Sequence, residues 1–182
     1  MASFASVLAA FLPLVLAGSV GPKDTAPCHA GDFRSPCAGE ERCMLPATGT
    51  ITGTVIVGSE DPTLISSLNS VRSSYGLPAL SESASLSDPA KCRLAEIRIL
   101  MSHTRPDGRD CHTVFSDYGL SPDLWGENLA AGYASPEEVL TAWLASETHR
   151  ENLLDPRFTQ AGFVHMITDD AYGDYWVLLL TN

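Results

Sequence analysis

Two hydrophobic periods alternate along this chain and mark out its elements. After Asp61-Pro62, which can serve as N-cap and first-turn proline, the apolar residues Leu64, Leu68, Val71 and Tyr75 recur at helical spacing until Gly76-Leu77-Pro78 ends the pattern. A second helix is predicted from about Ser87-Asp88-Pro89, with Ala90, Leu94, Ile97 and Met101 as its buried stripe. Ser135-Pro136-Glu137-Glu138 has every part of a helix start, a serine cap, a first-turn proline and a glutamate three residues on, and Val139, Leu140, Trp143 and Leu144 form the core face behind it. Asp155-Pro156 closes that helical stretch. The period then shortens. Residues 162–167 and 175–180 are apolar runs of strand length joined by a turn-rich segment, which predicts an antiparallel hairpin. The second run lacks polar alternation, so it should be a central strand covered on both faces. Upstream, the β-branched and glycine-broken run 48–57 predicts one further strand.

The length of 182 residues with 45% hydrophobic content suits one globular domain with short additions. The domain is expected over residues 61–182, preceded by a cysteine-containing arm or linker at 20–60 and a signal peptide at 1–19. Residues 1–17 are almost wholly apolar, too few for a membrane span, and Ala17-Gly18-Ser19 offers the small side chains of a cleavage site. Val20 is then the expected mature N-terminus and the protein is secreted. The absence of Lys or Arg near the start leaves an uncleaved apolar anchor as the alternative, and Ser19 supplies no thiol for a lipid. A net charge of -11 argues against nucleic acid as a partner.

Five cysteines in an exported chain imply disulfides, with one cysteine left over. Cys28, Cys37 and Cys43 cluster in the arm, where their spacing with His29 matches no usual zinc finger. Cys92 and Cys111 fall within the domain and are the expected pair, because the loop after His103 is long enough to return along the helix carrying Cys92. Closing about 19 residues would add roughly 3 kcal/mol.

Candidate chemistry centres on Glu127, in the stretch Trp125-Gly-Glu-Asn-Leu-Ala130, with His103 upstream and His149 downstream. A carboxylate and two imidazoles on different elements can bind a divalent metal or share protons. His103 leaves a helix end ahead of the turn Pro106-Asp107-Gly108. Glu127 sits in a predicted loop entering apolar sequence, where a buried carboxylate must find a cation or several donors. It can accept backbone N–H groups and shape the loop, or it can orient an imidazole by accepting a ring N–H. Glu96 pairs with Arg93 at helical spacing as a structural salt bridge. His112 and His165 are expected at the surface or packed on the sheet.

Six motifs in order carry a resemblance: Asn69-Ser-Val-Arg72, Arg93-Leu-Ala-Glu-Ile97, Ser102-His-Thr-Arg-Pro-Asp-Gly108, Gly126-Glu-Asn-Leu129, Ser146-Glu-Thr-His-Arg-Glu-Asn-Leu153 and Tyr175-Trp-Val-Leu178. From about Thr63 to Asn182 the chain resembles the CAP superfamily of cysteine-rich secretory, antigen and pathogenesis-related proteins, and most of all its bacterial SCP-like extracellular branch. The resemblance implies an α+β fold, a three-layer α-β-α sandwich around a mainly antiparallel sheet. It also implies a polar cavity of His103, Glu127, His149 and Ser146, the last standing where many animal and plant members carry a second glutamate. Family members bind lipids, sterols or proteins, so the implied role is an extracellular binding module whose ligand is a lipid, a sterol, an envelope component or a protein. No cofactor is required by this reading, although His103 and His149 could hold a divalent metal such as zinc.

Two alternatives stand beside it. One is a metal-dependent, peptidase-like hydrolase in which His103 and His149 hold the metal and Glu127 activates its water. Two histidines leave such a zinc one protein ligand short of the usual three, and no nucleophile elbow or His-Glu-x-x-His run is present, so the binding module is favoured. A thiol nucleophile at Cys111 beside His112 is disfavoured because adjacent residues seldom face each other. The other alternative is a purely structural exported domain, with the same triad as a satisfied polar core.

Overall fold

A computed structural model describes residues 14–15, 19–22, 54–58 and 60–182, with backbone alone at 14–15 and 19–22. The arm's cysteine cluster and most of the expected signal peptide lie outside the described residues. The elements are β1 (Leu14–Val15), β2 (Ser19–Pro22), β3 (Thr54–Val57), α1 (Thr63–Ser74), β4 (Ser81–Glu82), α2 (Ser87–Ile97), α3 (Thr113–Asp117), β5 (Leu124–Ala131), α4 (Pro136–Ala145), α5 (Glu147–Leu154), β6 (Gln160–Ile167) and β7 (Asp174–Thr181). The strands form one sheet in the order β1-β5-β7-β6-β3, with β2 also on β5 and β4 parallel to β6; every other pairing is antiparallel.

The predicted hairpin is β6–β7, and β7 is the central strand. Its alternate residues feed two cores, as a strand with apolar groups on both faces must. Trp176, Leu178 and Leu180 pack with Leu64 and Leu68 of α1, Val139 and Trp143 of α4, and Leu153 of α5. Val177 and Leu179 face the other way, onto Ala90, Leu94 and Ile97 of α2 and Val114 and Phe115 of α3. The result is the expected α+β, three-layer arrangement, with α1, α4 and α5 on one side of the sheet and α2 and α3 on the other.

The helix caps follow their chemistry. Ser135 Oγ accepts from Glu138 N at 3.2 Å, and Glu138 reaches back to Ala134 N at 2.9 Å. Backbone angles of φ -91 and ψ 126 at Ser146 break the helical path, so α4 and α5 are separate. Asp61 Oδ1 accepts from Thr63 N at 3.0 Å at the start of α1.

Three expectations need correction. Tyr75 is 63% exposed instead of buried; α1 has already ended at Ser74, and Gly76 at φ 71 turns the chain away. Glu127 lies within strand β5, not in a loop, because its neighbours Leu129, Ala130 and Ala131 continue a ladder against β7. Cys92 is disulfide-bonded, but Cys111, which is buried, is not its partner, so the expected Cys92–Cys111 bridge is not formed. The one-turn helix α3 has too short a run to announce itself by periodicity.

Candidate functional site

Strand β5 distributes its polar residues by parity. Glu127 shares a face with Leu129 and Ala131, toward α2, whereas Asn128 shares a face with Ala130, toward α5. Gly126 also faces α5, where a Cβ would stand 2.9 Å from Phe158 Cζ and 3.5 Å from Asn152 Cγ. The glycine of this motif thus lets α5 and the segment after it close onto the strand.

On the α2 side, Glu127 is 1% exposed and finds the cation its burial demands in Arg93. Arg93 Nε donates to Oε2 at 2.7 Å and Nη2 to Oε1 at 3.2 Å. His103, in the loop after α2, places Nδ1 2.6 Å from the same Oε1. Burial raises the Glu127 carboxyl's pKa, but the charge of Arg93 and the contacts from His103 and Arg93 outweigh it, so the group lies below its ordinary value. An ionised Glu127 accepts the Nδ1 proton of His103 and fixes that ring's tautomer and orientation.

Arg93 is part of a longer buried chain of charges. Its Nη1 lies 2.5 Å from Glu96 Oε2 and its Nη2 2.7 Å from the Ser102 carbonyl. Glu96 in turn receives Arg105 Nη2 at 2.7 Å, and Arg105 Nη1 reaches Asp117 Oδ2 at 2.7 Å. Arg109 closes the chain with two 2.8 Å contacts on Asp117. The Arg93–Glu96 salt bridge is therefore present, but each partner has a second one. Through Arg105, the loop carrying His103 is pinned to both α2 and α3.

On the α5 side, Ser146 Oγ lies 2.8 Å from His149 Nδ1, and the ring is fully buried. Its Nε2 has no hydrogen-bond partner. Burial, with the nearby charge of His103, pushes the His149 pKa down to about 4, so the ring is neutral at physiological pH. An amide ladder clamps this helix to β5: Asn128 Nδ2 donates to the His149 carbonyl at 3.2 Å, and Asn152 Nδ2 donates to Asn128 Oδ1 at 2.8 Å.

The four expected cavity residues thus form two hydrogen-bonded pairs, His103–Glu127 and Ser146–His149, with the histidines within electrostatic reach of each other. Reading the sequence alone missed Arg93 as the counterion of Glu127, although an arginine one turn before Glu96 was its visible trace. It also missed Cys111, whose Sγ lies within 4.8 Å of a ring nitrogen of His103 and a carboxylate oxygen of Glu127. The other two histidines among the described residues stay apart. His112 is exposed and stacks on Trp125 at 5.4 Å. His165 packs on Trp176 at 3.6 Å with Nε2 2.6 Å from Asp174.

A three-layer sandwich that carries an imidazole–carboxylate pair and, within electrostatic reach of it, a second buried imidazole is the arrangement expected of a cysteine-rich secretory domain. The model of the CAP family, the cysteine-rich secretory protein family, matches residues 65–180, and the chain belongs to this family. It is similar to the uncharacterized protein YkwD of Bacillus subtilis (strain 168), with 32% identity over 124 residues, covering 64% of this chain and 48% of that protein. Its fold is similar to an extracellular protein containing a SCP domain from Bacillus anthracis, with TM-score 0.58, 25% identity, and coverage of 66% of this chain and 39% of that one. An outer surface protein from Borrelia burgdorferi gives TM-score 0.63 and 27% identity, with 71% of this chain and 98% of that chain covered. The chain thus spans about half the length of YkwD, and less of the Bacillus anthracis protein. Among the described residues no helix is long and apolar enough to cross a membrane.

Proposed function

We propose that this chain is an extracellular binding module, and that the cavity around His103, Glu127, His149 and Ser146 recognises its ligand and holds a divalent metal such as zinc on the two histidines. The observation that carries this reading is the buried, partnerless Nε2 of a neutral His149. A buried ring nitrogen without a partner costs stability unless something occupies it, and a neutral imidazole is the form that ligates metal. The extracellular placement rests on the likeness to the extracellular Bacillus anthracis protein and the Borrelia burgdorferi outer surface protein. The ligand classes of the family, a lipid, sterol, envelope component or protein, are the candidates here.

The residues present suit a metal in the donors they offer. His103 and His149 would hold it, and Glu127 would keep the His103 ring in position. A bound divalent ion would supply a Lewis-acidic point for a polar ligand group. The hydrolase alternative is less well supported. Both Glu127 oxygens are engaged by Arg93 and His103, so taking a proton from water would require breaking a buried ion pair.

Calorimetry with zinc at neutral pH tests the metal. Heat of binding is expected from the wild-type protein and should be lost when His103→Ala and His149→Ala are combined. No heat from the wild-type protein would overturn the metal reading and remove the hydrolase with it.

A further inference from the structure

We propose that the outer edge of β5 docks an extended segment of a partner protein. β1 and β2 cover that edge in the full chain, and removal of the expected leader after Ser19 leaves it open. The proposal rests on the binding-module reading above and selects, among its candidate ligands, a protein with a free, uncharged segment of strand length.

Strand β5 has two edges. β7 is zipped to one of them from Trp125 to Ala131. On the other, among the described residues, lie only β1 and β2, both antiparallel to β5. Leu14 stands opposite Ala131 and Val15 opposite Ala130. Further along, Ser19 stands opposite Glu127 and Pro22 opposite Leu124. With both in place β5 is an inner strand, and Leu129, Ala130 and Ala131 are at most 1% exposed. A chain that begins at Val20 loses β1 and Ser19, and keeps these partners only at Leu124, Trp125 and Gly126. From Glu127 to Ala131 the edge is then a row of backbone groups without a neighbouring strand, beside apolar residues, and such an edge templates another strand. Trp143 Nε1 and Asn152 Nδ2 donate to the Leu129 and Glu127 carbonyls at 3.2 and 3.4 Å. Donors cannot serve the outward N–H groups, which need an acceptor.

The strands seated on this edge define what fits it. From Leu14 to Pro22 the chain carries no charged side chain. The one charge on β5, Glu127, is neutralised by Arg93, so β5 offers a charged segment no counterion. An uncharged segment needs only the backbone ladder, with its alternate side chains left to set specificity. A lipid or a sterol has no such ladder to offer, which is why this edge selects a protein. The docked strand would run against the backbone of Glu127, where Ser19 stands in the full chain. Glu127 orients His103, so a partner bound at the edge lies against the strand that carries the cavity's carboxylate.

The probe is a labelled synthetic peptide of residues 12–19 with a lysine tail for solubility, and binding is read by fluorescence polarisation. Secreted protein, whose N-terminus mass spectrometry should place near Val20, is expected to bind it saturably. The full chain, made unprocessed under oxidising conditions, should not bind it, because β1 and β2 occupy the edge. Successive residues of an antiparallel strand alternate between hydrogen-bonded and non-hydrogen-bonded pairs. N-methylation of the peptide at Leu14 and at Val15 should therefore differ in effect. One of the two should weaken binding about tenfold, through a lost backbone hydrogen bond, and the other should leave it unchanged. The docking edge is overturned by secreted protein that keeps Met1, by a processed protein that does not bind, by a full chain that binds equally well, or by equal effects of the two methylations. Zinc calorimetry on the same processed protein separates this from the cavity reading. Zinc uptake without peptide binding overturns the edge alone, and peptide binding without zinc uptake overturns the metal alone.

Discussion

Replacing Glu127 by Gln keeps the shape of the side chain and removes the charge facing Arg93. Arg93 and Glu127 are 0% and 1% exposed, and their 2.7 Å contact lies between sheet and helix, where water cannot replace a lost partner. Two opposite charges about 4 Å apart interact by about 4 kcal/mol at an effective dielectric constant near 20. Removing one partner of a buried pair typically costs about 3–5 kcal/mol. Arg93 retains Glu96 at 2.5 Å and the Ser102 carbonyl at 2.7 Å, and the new amide oxygen can still accept one of its N–H groups. The expected loss is therefore at the low end, about 3 kcal/mol, or a fall in Tm of about 6–12 °C for a domain of this size. Urea unfolding followed by the fluorescence of the three tryptophans measures it. Adding Arg93→Met to Glu127→Gln should then cost much less than Arg93→Met alone, since the two residues act as a unit. A Glu127→Gln protein within about 0.5 kcal/mol of wild type would show that the pair is solvated and that the electrostatic account of this site is wrong.

Acid should destabilise the metal-free domain through His149. Its folded pKa is depressed to about 4 from 6.5, so the stability of the neutral buried ring is complete above 6.5 and is lost as pH falls toward 4, because the unfolded chain takes up the proton first. The loss should reach roughly 3 kcal/mol; urea midpoints between pH 7 and 4.5, taken with chelator present, should fall more steeply for wild type than for His149→Gln, and equal slopes would refute the assignment. Gly162→Ala in β6 should destabilise by about 1–3 kcal/mol, because the added methyl would sit 2.3 Å from Leu86 Cβ in a filled core. Thermal melting checks this, and an unchanged Tm would mean that Leu86 moves aside without cost.

The elements that were legible in the sequence are those whose burial pattern repeats along the chain. α2 carried a stripe of three buried residues, the β6–β7 hairpin carried two unbroken apolar runs, and Ser135 carried a complete cap. Glu127 was harder to place, since Gly126, Glu127 and Asn128 break the apolar run of β5 and look like a loop. Each is explained only by a partner far along the chain: Phe158 against Gly126, Arg93 against Glu127, and Asn152 against Asn128. Periodicity reports whether a position is buried, not what it meets. The candidate histidines were visible because few side chains titrate near neutrality. Cys111 was misassigned because a cysteine 19 positions from another suits a bridge by loop length, and the strand-like pairing of Thr104 with Asp110 that carries it to His103 has no hydrophobic signature.

The position of β7 at the middle of the sheet has a consequence for how this domain comes into being. β5 and β6 are not paired with each other; each is zipped to β7, with Trp125 opposite Thr181 and Gln160 opposite the same Thr181. A chain emerging N-terminus first has α1 to α5 available before the strand they must cover on both sides. Until residue 181 appears, the two cores have no common wall and their apolar faces have only transient partners. Such long-range pairing makes assembly slow and late. The last strand made is therefore the one that turns two half-walled apolar layers into a closed domain.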